Sequence, residues 1–188
     1  MRKMINKEEP KWADPTMGQL LSVGISSVLI WTVLIGLVEE HFLPIVGLWF
    51  GCTAIYSFVA GLINLRRGEM FNGVLQSFFG IFFFLGFGLT FIYGFDKGID
   101  FTPFLGYILT LLGIVLSAFT LGVWKTSKLV GISLIFFDAG LLIQGILNLA
   151  GMYLESSLFG GWLIGIAGFV MIFSGLVLVV STAIDKEI

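Results

Sequence analysis

Six long apolar runs, separated by short polar connections, leave this 188-residue chain few ways to fold. They cover approximately Met17–Val38, Ile45–Leu65, Val74–Tyr93, Phe104–Trp124, Leu129–Ala150 and Leu158–Val180. A helix needs about 20 apolar residues to cross roughly 30 Å of hydrocarbon, and each run is long enough. Strands of a membrane barrel are half that length and alternate apolar with polar residues, which these runs do not. The chain is 57% hydrophobic and 12% charged, with mean hydropathy +1.04. A soluble domain of this size would expose too much of that apolar surface to water. The expected fold is therefore all-α, a polytopic membrane protein built as a bundle of six transmembrane helices. The bundle is expected over residues 17–184, with a tail at 1–16 and a short end at 185–188. Because residues 1–16 are polar and further spans follow, the first run is read as a span and not as a signal peptide.

The basic residues predict the orientation. With the N-terminus in the cytoplasm, that side collects Arg2, Lys3, Lys7, Lys11, Arg66, Arg67, Lys125, Lys128 and Lys186, and the other side keeps Lys97. Such a bias follows the positive-inside rule, and an even number of spans returns the C-terminus to the cytoplasm. No connection is long enough for a soluble domain, so the bundle itself must carry the function. Nothing in the charge pattern points to nucleic acid.

Few residues at membrane depth can carry chemistry. Asp138, in the middle of the fifth run, is the one carboxylate there; ionised and unpaired it costs about 2.5–3.5 kcal/mol on insertion scales. It is read either as a proton-linked or polar-substrate site, or as a neutral acid hydrogen-bonded to a neighbouring helix. Gly131 and Gly145 lie seven residues to either side of it, on the same helical face, and predict tight packing. The amides Asn64, Gln76, Gln144 and Asn148 are also intramembrane; the default for each is a bond to another helix. Gln144 falls on a different face from Asp138. Gln76, Phe79 and Phe83 follow one another by about a turn, an amide–aromatic stripe in a span crowded with phenylalanine, where one or two rings could form a hydrophobic gate.

Asp14 is a candidate N-cap for the first helix, with Pro15 in its first turn and Gly18 after it. A helix start can attract an anion, but here the cap is itself an acid. Gly47/Gly51 and Gly161/Gly165 are GxxxG pairs, read first as packing within one subunit. Cys52 is expected to be a small buried hydrophobe, and one cysteine and one histidine (His41) give no basis for a disulfide or a metal site. No nucleophile motif, paired catalytic cluster or phosphate loop occurs, so no enzyme and no cofactor is expected.

Several strings, in order along nearly the whole chain from residue 13 to about 182, resemble the acetate uptake transporter (succinate–acetate permease) family. Ala60-Gly61-Leu62-Ile63-Asn64-Leu65-Arg66-Arg67-Gly68-Glu69-Met70-Phe71 is similar to the segment that ends that family's second span. Asp14-Pro15-Thr16-Met17-Gly18 looks like a shortened form of its signature at the start of the first span. Asn148-Leu149-Ala150-Gly151 and Gly161-Trp162 also resemble its strings. The resemblance implies six-helix subunits assembled as hexamers in the cell (plasma) membrane. Each subunit would carry small monocarboxylates, and sometimes succinate, by proton symport or as a channel. It further implies a Phe-Leu-Tyr constriction, whose Tyr position falls at Phe79, Leu position at Phe137, and Phe position at Leu21 or Ser22. The chain departs from the pattern at each of the first two, carries Asn64 where related sequences often have Glu, and adds Asp138 beside the constriction.

These readings leave three expectations. The first is a transporter or channel for acetate and similar small monocarboxylates, linked to protons. The second is a channel for a small neutral solute such as urea or ammonia, which a Phe gate flanked by amides would suit. The third is a membrane scaffold or sensor with no pathway through the subunit.

Overall fold

The computed structural model describes residues 13–184. Most of the expected tail and the whole 185–188 end therefore lie outside the described residues, and with them Arg2, Lys3, Lys7, Lys11 and Lys186. Six helices long and apolar enough to cross a membrane make up the rest. They are α1 (Thr16–Leu34), α2 (Leu43–Arg66), α3 (Met70–Lys97), α4 (Thr102–Thr126), α5 (Lys128–Leu149) and α6 (Tyr153–Ile184).

The helix ends depart from the hydropathy limits for local reasons. Helix α1 stops at Leu34, short of the expected Val38. Helices α3 and α6 instead run past the apolar core into interfacial residues such as Lys97 and Tyr153, whose amphipathic side chains suit that boundary. Among the described residues four glycines have positive φ, including Gly68 and Gly151 at 80° and 75°. Each of these two follows a helix end, and the next amide bonds back across the last turn, Glu69 N to Asn64 O and Met152 N to Leu147 O, both at 2.9 Å. A side chain at either position would be strained in this left-handed conformation.

Two spans are not uniform α-helix. Within α3, Phe79–Leu85 is a π-helical stretch, and within α6 so is Ser156–Gly160. Such wide turns re-aim the side chains that follow, and they are often found at functional sites. The stretch in α3 carries Phe79, Phe83 and Phe84 of the site described below.

The helices pack chiefly as α1 on α6, α2 on α3, and α4 on α5, with α5 also on α6. Close crossings are made by glycine. A Cβ on Gly24 would lie 2.8 Å from the Gly168 carbonyl, and one on Gly47 2.7 Å from the Gly88 carbonyl. Gly161 and Gly165 face Leu34 and Trp31 of α1, so this pair packs within the subunit; Gly51 itself faces open space. Rings of α3 and α4 meet at Phe71–Phe119 and Phe78–Phe119.

The interior holds phenylalanine together with buried hydroxyls and amides, while large aliphatics such as Ile55 and Leu121 point outward. That arrangement suits hydrocarbon, where packing and interhelical hydrogen bonds replace the hydrophobic effect as the drive for helix association. The Ser26 and Thr53 hydroxyls, for example, bridge α1 and α2 at 2.7 Å. Cys52, expected inside, is exposed. A thiol is apolar enough to face lipid, and hydropathy alone does not say which way a residue on a span points.

The two described ends lie together. Asp14 reaches Arg67 at the end of α2, and the Thr182 hydroxyl approaches the Met17 sulfur at 3.7 Å. This face, which also carries Lys125 and Lys128 at the α4–α5 turn, is called the basic face below. Glu40, Asp96, Asp100 and Glu155 mark the opposite, acidic face.

Candidate functional site

Two cavities enter the bundle from opposite faces. The larger, about 520 Å³, opens at the acidic face; Glu40, Asp100 and Tyr153 lie around it, with Gln144 and Asn148 deeper. The smaller, about 160 Å³, lies toward the basic face and is lined by Gln19, Leu20, Gln76 and Phe79 among others. Phe137 lines both, with only 1% of its surface exposed. The two spaces therefore share this ring in their walls.

The residues around Phe137 are aromatic. On α3, Phe79, Phe83, Phe87 and Phe91 follow at four-residue steps with successive ring centroids 5.6, 5.0 and 5.9 Å apart. Phe79 belongs to the smaller cavity and the other three to the larger. Phe83 also meets Phe137 of α5 edge-to-face at 5.5 Å, and Phe84 and Phe50 of α2 back it. Edge-to-face contacts hold rings in defined positions, and a closed ring cluster with no polar atom excludes water. Phe83 thus joins the two candidate constriction residues, Phe79 and Phe137. The sequence places it on the amide–aromatic stripe, but its contact across to α5 is a tertiary feature.

Leu21 and Ser22 face elsewhere. Leu21 packs against Gly175 of α6, and the Ser22 hydroxyl donates to the Gln19 carbonyl at 3.1 Å. Leu20, one residue earlier, lines the smaller cavity. A one-residue shift turns a helix by about 100°, enough to exchange an interior position for a packing one.

Among the polar candidates, Gln76 lines the smaller cavity and Asn148 the larger. Asn64 is fully buried, and its Nδ2 donates to Gln76 Oε1 at 2.9 Å, tying α2 to α3. Gln19, which the sequence does not mark, donates from Nε2 to Ser57 Oγ at 2.8 Å; its Oε1 has no hydrogen-bond partner. Gln144 joins Asn148 at the larger cavity, on a different face from Asp138.

Asp138 lines neither cavity. It faces α4, where the Thr120 hydroxyl donates to its Oδ2 at 2.7 Å. Gly131 and Gly145 lie on the same face and pack on Trp124 and Thr110 of α4. The acid belongs to the α4–α5 seam rather than to the space around Phe137.

The N-terminal motif builds a clamp on the basic face. The helix starts one residue later than expected: Pro15 holds the cap position, and Asp14 Oδ1 accepts from the Thr16 amide at 2.9 Å from just outside it. The Tyr56 hydroxyl donates to the Pro15 carbonyl at 3.2 Å, and any side chain at Gly18 would overlap that hydroxyl. Arg67 lies between Glu69 Oε1 at 2.8 Å and Asp14 Oδ1 at 3.4 Å. Partial burial pushes the Asp14 pKa up, but the Thr16 hydrogen bonds and the Arg67 charge outweigh it and hold the carboxyl below its ordinary range. At the other face, hydrogen bonds from Thr102 likewise hold the exposed Asp100 low.

Architecture and site together define a six-helix membrane protein with a cluster of aromatic rings beside two opposed cavities. No family model and no curated protein matches the chain. Among solved structures, it is similar to one described as the bacterial acetate channel SatP, with a TM-score of 0.76 and 24% identity over 92% of this chain and 95% of that one. The two share a fold.

Proposed function

We propose that this chain is a membrane channel or transporter for acetate and similar small monocarboxylates, linked to protons, with one hydrophobic constriction inside each subunit. The observation that carries this reading is the meeting of two opposed cavities on Phe137, in a fold shared with a protein described as an acetate channel. A short, dry aromatic plug suits a solute with a methyl group and one small polar end. Succinate, with two polar ends, would desolvate less readily at the same rings.

The reading extends to the setting. The basic face lies in the cytoplasm by the positive-inside bias, in the plasma membrane, and copies of the chain assemble as hexamers with a pathway through each. The chain acts by passage, without cofactor or chemical conversion of the solute. Purified protein in liposomes should take up radiolabelled acetate faster than empty liposomes, with a larger excess at acid pH. No excess over acetic acid diffusion would refute the proposal.

A second reading, passage of a small neutral solute such as urea, is favoured by one observation. No Lys, Arg or His lines either cavity among the described residues. Stopped-flow swelling under urea and acetate gradients separates the two.

A further inference from the structure

We infer that the pathway takes its substrate in the uncharged form, the undissociated acid, and that Gln19 and Gln76 read its carboxyl group. This rests on the acetate reading above and names the species that reaches the plug.

Charge comes first. Among the described residues the larger cavity has two carboxylates around it, Glu40 and Asp100, and no cation. The nearby Lys97 is engaged by Asp96 at 3.0 Å, and His41 by Glu39 at 2.9 Å. The smaller cavity has no charged side chain among the described residues; Arg67 beyond it is held between Glu69 and Asp14, and Asp138 lies on the α4–α5 seam. An acetate anion would therefore pass carboxylates, give up its water and cross an aromatic plug with no positive group to replace hydration. Such a transfer is far more costly for an ion than for its neutral acid.

Hydrogen bonding points the same way. Gln19 lines the smaller cavity and is 7% exposed, and its Oε1 is a buried acceptor without a partner. Gln76 lines the same cavity and is 8% exposed; its Oε1 is taken by Asn64, which leaves its amino group to donate. The two glutamines thus offer one acceptor and one donor. A carboxylic acid is the complement, giving its O–H to Gln19 and accepting from Gln76 at its carbonyl. A carboxylate offers acceptors alone and leaves the Gln19 oxygen unsatisfied, a penalty that a site built to bond one group imposes on its analogue. A primary amide, also donor and acceptor, fits equally.

The test uses purified protein in liposomes, with empty-liposome flux subtracted, and compares radiolabelled acetate with acetamide. Protein-dependent acetate flux should fall about tenfold per pH unit above the acid's pKa and ignore a potassium diffusion potential set with valinomycin. Acetamide should cross with no such pH dependence. Gln19→Leu should lower both fluxes about tenfold, while Ile55→Ala, on the lipid-facing surface, should lower neither. Acetate flux that tracks total acetate and responds to the potential would overturn the inference. Acetamide flux without acetate flux would refute the acetate reading and uphold selection for an uncharged solute; no flux of either would overturn both.

Discussion

Phe83 of α3 and Phe137 of α5 meet edge-to-face, their centroids 5.5 Å apart and their planes at 63°; Phe137 lines both cavities described above and Phe83 the larger of them. Neither ring has a polar group to offer a passing solute. In the proposed pathway their effect would be to remove water and to set a width, which a side chain of another size would change.

Phe137→Ala should therefore join the cavities. Protein-dependent acetate flux should rise severalfold, and larger monocarboxylates such as butyrate should enter at comparable rates. The same change empties a filled site, at a cost of about 3–5 kcal/mol in stability, so melting of the purified variant should be measured beside its flux. Phe83→Leu, a milder change, should loosen size selection with a smaller loss.

Asp138 should behave as a structural group. Asp138→Asn keeps an oxygen for the Thr120 hydroxyl, and acetate flux and its pH dependence should stay within error of the wild type. Thr120→Val removes the donor from a buried seam and should cost about 1 kcal/mol of stability with flux per folded protein unchanged. A shifted pH profile in Asp138→Asn would return the acid to the transport cycle.

The Asp14 clamp predicts an acid-sensitive stability. Because its folded pKa lies below the unfolded value of roughly 3.9, its stabilisation is present above that value and lost as pH falls through the folded pKa. The side chain is 52% exposed, so screening keeps the contribution below about 1 kcal/mol. Melting temperatures in detergent from about pH 7 to 3 should fall in the last unit, and Asp14→Asn should flatten that fall.

The fold was largely legible because hydrocarbon asks for length and apolarity, and six runs supply both. Finer features depend on which way each span faces, and membrane spans hide this by being apolar all round. Cys52 and Leu20 exemplify the loss: the one points outward and the other lines a cavity, yet both sit in equally hydrophobic runs. Asp138 was conspicuous as an acid, but its partner Thr120 lies eighteen residues away on another helix. The π-helical stretch at Phe79–Leu85 has no clear sequence mark among so many phenylalanines, and Gln19 is distinguished by an unpaired oxygen that only its surroundings reveal.

The most direct test of a pathway through the subunit compares radiolabelled acetate uptake at acid pH by empty liposomes, wild-type protein and Phe137→Ala at matched protein content. The predicted order is empty slowest, wild type faster and Phe137→Ala fastest. Wild-type and variant liposomes that both match the empty ones would contradict it.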